Sequence, residues 1–138
     1  MINSKRKGAV GERELASKLR EYGFKGARRS QQYCGKGEDS ADVVDALPGI
    51  HIECKRNEHL NVYDAINQAK RDAKKENLPT VFWRKNNSEW LVTMPLEDWM
   101  TLFLEYFSSN EFCNTLRINS PATNKSQPQT KYDNEKGK

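Results

Sequence analysis

A chain of 138 residues suits one domain with a single sizeable core and leaves little for a second. Its formal net charge of +4 and pI near 9.0 favour an anionic partner, and no run approaches the roughly 20 apolar residues that cross a bilayer, so no membrane association is expected. Three cysteines without close pairing argue against a disulfide framework or a cysteine zinc site, and give a reducing, cytoplasmic setting as the expectation.

Basic residues crowd the first part of the chain, from Lys5, Arg6 and Lys7 to Arg28, Arg29 and Lys36. From Ala9 to about Tyr22 the apolar residues Leu15, Ala16, Leu19 and Tyr22 recur on one helical face, and Gly23 supplies a left-handed stop. The polar, glycine-containing stretch Ser30 to Ser40 reads as a loop leading directly to Asp42, able to present Gln32 or Lys36 to a ligand. Two short β-branched runs follow, around Val43-Val44 and from Ile50 to Cys54, with Pro48-Gly49 as the turn between paired strands. Alternation along the second run points His51, Glu53 and Lys55 one way and Cys54 into the opposite layer. His51 reads as a satisfied strand histidine rather than a catalytic one.

Asn61 to Glu76 reads as an amphipathic helix, burying Val62, Ala65, Ile66, Ala69 and Ala73 and displaying Gln68, Arg71 and Lys74 near its polar side. Thr80 to Trp83 and Trp90 to Thr93, joined through Asn86-Asn87-Ser88, form a hairpin. Pro95 opens a last helix whose face of Leu96, Trp99, Met100, Phe103, Leu104 and Phe107 reads as cover for the core, with some excess for a homodimer contact. Beyond Ile118 the composition turns polar, which predicts a single domain over 1–118 and a disordered tail over 119–138. The fold class expected is α/β, a central mixed sheet of four or five strands flanked by helices.

Two carboxylates on neighbouring strands, Asp42 and Glu53, can hold a hard divalent cation such as Mg²⁺, with Mn²⁺ as its substitute. Lys55, on the same face as Glu53, can orient a water and offset charge on a phosphoryl group. Glu12 offers a third acid from the first helix. Arg13 is turned from it by about 100 degrees. In a basic chain a phosphodiester is the natural target.

These residues resemble the PD-(D/E)XK nuclease superfamily, and within it the archaeal-type Holliday junction resolvases and their phage relatives. Lys7-Gly-Ala-Val-Gly-Glu-Arg-Glu14 is similar to the opening segment of those enzymes, Asp42-Val-Val to their metal-binding aspartate and strand, and Ile52-Glu-Cys-Lys55 to the second half of the nuclease signature. Ala41 stands where the superfamily has proline. The tract before Asp42 is long, so the arginine that follows the first helix is Arg29 or its neighbour Arg28. The resemblance implies a restriction-endonuclease-like core, with Glu12, Asp42, Glu53 and Lys55 as catalytic residues and the three acids as metal ligands. It also implies Arg13, Arg29 and Gln68 near DNA or the active centre, with Arg71 and Lys74 as further phosphate contacts, beside which the loop residue Lys36 stands as a DNA-binding candidate. The expected activity is Mg²⁺-dependent resolution of branched double-stranded DNA by a homodimer. A related nicking, flap or nonspecific endonuclease, and a noncatalytic DNA-binding domain of the same fold, are the alternatives.

Overall fold

The computed structural model describes residues 4–31 and 40–118. The chain divides into a first compact unit running through Thr101 and a second starting at Leu102.

In the first unit, helix α1 (Ser4–Glu21) begins five residues earlier than the apolar periodicity alone predicts, taking in Lys5, Arg6 and Lys7. It ends as expected: Gly23 has φ +107°, Phe24 N–H donates to the Leu19 carbonyl at 3.2 Å, and Gly23 N–H donates to that of Arg20 at 3.0 Å. Those two bonds around a left-handed glycine are a Schellman stop. The chain then enters β1 (Arg28–Arg29), which pairs antiparallel with β2 (Val43–Val44).

The central strand β3 (Ile50–Arg56) pairs in parallel with β4 (Leu78–Arg84), and β4 pairs antiparallel with the short edge strand β5 (Leu91–Thr93). The expected pairing of β2 with β3 across Pro48-Gly49 is replaced by a single bond just before β2, from Asp42 N–H to the Ile52 carbonyl at 2.9 Å. That bond links two sheets, the two-stranded β1-β2 and the mixed, three-stranded β3-β4-β5. β2 is only two residues long and spends its ladder bonds on β1.

Between β3 and β4 the chain crosses over through α2 (Val62–Asp72), as parallel strands require. Asn61 caps this helix, its side-chain oxygen accepting from Asp64 N–H at 3.1 Å. The helix stops four residues short of the predicted Glu76. Ala73 is already extended, and the buried stripe of Ala65, Ile66 and Ala69 ends one turn earlier, so no core contact rewards continuation before β4 starts at Leu78.

Each sheet face has its own helix. Ile52, Cys54 and Phe82 pack with Leu15, Ala16 and Leu19 of α1, whereas Val81 packs with Ala65, Ile66 and Ala69 of α2, flanked by Trp83. Gly11 lets α1 approach β3 closely, because a Cβ there would stand 3.0 Å from Arg56 Cβ. The resulting fold is α/β, a central mixed sheet flanked by helices.

Helix α3 (Leu96–Ile118) spans the division between the units. Within the first unit, the reading of its apolar face as core cover is not met. Leu96, at 73% exposure, and Trp99 and Met100 are exposed in the first unit, as are Phe103, Leu104 and Phe107 in the second. The two sheet faces already carry α1 and α2. The predicted tail, 119–138, lies outside the described residues.

Candidate active site

The site is built where β3 meets the segment entering β2. Asp42 lies one residue before β2, and its carboxylate accepts from Cys54 N–H at 2.7 Å, on the free side of β3. One position away, Glu53 projects to the α2 side of the sheet and is 2% exposed. Its Oε1 receives Lys55 Nζ at 2.7 Å, and the same ammonium donates to Gln68 Oε1 on α2 at 2.9 Å. Gln68 therefore holds the lysine rather than standing free on the polar face.

Electrostatics separate the two carboxylates. Burial, followed by repulsion from Glu53 and Glu12, pushes Asp42 up to about 7. Burial would raise Glu53 too, but His51 and Lys55 beside it outweigh that effect and the net shift is downward. Glu53 is thus the more readily ionised of the two, and nearby positive charge would favour the ionised form of Asp42. Cys54, on the other face, is buried with the α1 cluster, and burial raises its thiol. It is no nucleophile at neutral pH.

Glu12 reaches the same region from α1. It forms an ion pair with Arg29, and both line a cleft of about 760 Å³ whose walls include Lys5, Gly8, Gln31 and Asp42. Glu12 thus comes from the α1 side of the sheet and Glu53 from the α2 side, with Asp42 at the rim between them. Among the described residues no three acidic, histidine or cysteine side chains stand close enough together to hold a metal ion, so the expected trio of ligands is not assembled. Asp42 and Glu53 interact, all their donor atoms are oxygens, and after burial the repulsion between them is the main cause that raises Asp42. That donor set fits a hard divalent cation.

The alternation of β1 separates the two arginines. Arg29 faces the cleft and Glu12, whereas Arg28 turns to Asp45, 2.9 Å away, which is held at φ +55°. Arg13, Arg71 and Lys74 are exposed and form no ion pair among the described residues, and Lys74 falls beyond the end of α2. Lys36 lies outside the described residues, as do Gln32 and Cys34. Sequence reasoning did not single out Lys5 or Gly8 as cleft residues. An α1 begun at Ser4 puts Gly8 one turn and Lys5 two turns ahead of Glu12, on the same side of the helix.

An α/β core with a carboxylate pair on adjacent segments and a lysine two residues beyond the second acid defines a PD-(D/E)XK nuclease core. A sequence model of the family described as "Phage putative PDDEXK endonuclease" matches residues 3–132, and the chain belongs to that family. No curated protein and no solved structure matches it.

Proposed function

We infer that the protein is a Mg²⁺-dependent, structure-selective DNA endonuclease that resolves four-way junctions by phosphodiester hydrolysis. The observation that carries this reading is the convergence of Asp42, Glu53 and Lys55, the lysine held 2.7 Å from the glutamate and 2.9 Å from Gln68. Asp42 and Glu53 would hold the cation, with Glu12 contributing directly or through water. Mg²⁺ bound there supplies Lewis-acid polarisation of a phosphate oxygen and a more acidic water. Mn²⁺ should substitute for it.

The chain's own groups do the rest. Lys55 positions the attacking water, and its ammonium offsets charge that grows on the phosphoryl oxygens. The water oxygen bonds to phosphorus, the scissile P–O bond breaks, and the displaced oxygen leaves as a sugar hydroxyl. Arg29, beside the cleft, binds a neighbouring phosphate. Exposed Arg13, Arg28, Arg71 and Lys74, together with Lys36, extend the contact to the backbone, which makes binding salt dependent and indifferent to base identity. A homodimer would set two such sites on opposing strands of a junction, and the exposed apolar side chains of α3 support a second copy. Among the described residues no helix is long and apolar enough to cross a membrane, which accords with action on DNA in the cytoplasm.

Cleavage of labelled four-way junctions, flaps and linear duplex in Mg²⁺ tests this directly. Paired symmetric nicks at the branch are expected. Uniform degradation would replace junction resolution by the nonspecific or flap alternative. Binding without cleavage in either Mg²⁺ or Mn²⁺ would leave only a DNA-binding domain of nuclease fold.

A further inference from the structure

One member of the charged face of β3 takes no part in the reaction described above. His51 is 2% exposed, and its buried Nε2 has no hydrogen-bond partner among the described residues. That nitrogen lies 3.9 Å from Glu53 Oε2. Across the ladder His51 faces Pro79, which offers neither a backbone N–H nor a polar side chain. Among the described residues the one ion-pair partner within reach of His51 is the carboxylate two residues along its own strand.

Buried polar atoms are nearly always satisfied, so an orphan imidazole nitrogen beside a buried carboxylate asks for an explanation. The two oxygens of Glu53 are not equivalent. Oε1 is occupied by Lys55, while Oε2 lies 3.9 Å from His51 Nε2. Lys55 also has a second acceptor in Gln68, so it can leave Glu53 without losing every partner.

The geometry points to His51 as a positioning residue: it would donate Nε2–H to Glu53 Oε2 and so keep the carboxylate aimed for a divalent cation held by Asp42 and Glu53. This rests on the reading of Asp42 and Glu53 as the cation-binding pair. A donor behind a ligating carboxylate tunes cation affinity while contacting neither cation nor substrate.

The test compares Mn²⁺ binding by calorimetry in the full-length wild type, His51→Leu and His51→Gln. Leucine fills similar space without a donor; glutamine keeps an N–H. The expected result is affinity weaker by roughly 10–100-fold for His51→Leu, with His51→Gln restoring most of it. Equal affinity in all three overturns the role of His51 and leaves the nuclease reading standing. Wild type that neither binds Mn²⁺ nor cuts DNA overturns the nuclease reading itself. Long-range ¹H–¹⁵N correlation on the metal-free wild type needs no variant and decides the matter even if His51→Leu does not fold. A proton on Nε2 is expected, and a neutral ring protonated only on Nδ1 overturns the proposal.

Discussion

The two faces of β3 are made from alternate residues of the same seven, yet they are different materials. Ile52 and Cys54 face α1 in an apolar cluster with Leu15, Leu19 and Phe82. His51, Glu53 and Lys55 face the other way as a row of ionisable groups, two of them as deeply buried as the core itself. The first face gains stability from area removed from water. The second holds charge out of water, and its stability depends on every partner staying in place. A change on the apolar face should cost folding and spare chemistry per folded molecule, whereas changes on the charged face should separate the two.

The largest effect is expected where a buried charge loses its partner. Lys55→Met leaves Glu53 without its ammonium and should lower unfolding free energy by about 3–5 kcal/mol, with cleavage abolished. The double variant Lys55→Met/Glu53→Gln should recover most of that stability and none of the activity, as read by urea denaturation and junction cleavage. On the apolar face, Ile52→Ala should cost about 2–5 kcal/mol while cleavage per folded molecule stays near wild type. Equal loss of activity in Ile52→Ala would break the division between the faces.

Asp42 sharpens the comparison through pH. Its folded value of about 7 lies above the ordinary 3.8, so the folded state binds the proton more tightly than the unfolded chain. The associated stability is fully present below about pH 4 and is lost as pH rises through 7. Metal-free Asp42→Asn should therefore exceed wild type in stability at pH 8, by on the order of 4 kcal/mol, and the difference should vanish near pH 4. Mg²⁺ should narrow it by binding the ionised wild type. Denaturation curves at the two pH values, with and without Mg²⁺, check the sign. The smallest effect belongs to the start of α2, where Asn61→Ala removes a cap and should cost about 1 kcal/mol, leaving both faces of β3 intact.

Much of this division is legible in the sequence. Strict alternation in Ile50–Arg56 assigns Glu53 and Lys55 to one side and Cys54 to the other, and the left-handed glycine after Tyr22 ends α1 where expected. What the sequence hides is relational. Nothing local says that Glu12 and Glu53 approach Asp42 from opposite sides of the sheet, that Gln68 turns to Lys55, or that His51 goes unsatisfied. Arg28 and Arg29 are interchangeable as letters; the pairing of β1 with β2 sends one to Asp45 and the other to Glu12. The apolar face of α3 misleads for a related reason. Periodicity reports that a face is apolar, and says nothing of whether the sheet still has a side for it to cover.

The central claim, that Asp42, Glu53 and Lys55 form a metal-dependent cutting centre, is tested most directly by Asp42→Asn. The amide keeps an acceptor for Cys54 N–H and removes only the ionisable oxygen. Cleavage of a labelled four-way junction in Mg²⁺ should proceed with wild type and fall by at least roughly a hundredfold with the variant, although the variant remains folded and still binds the junction. Equal cleavage by both proteins would contradict the account.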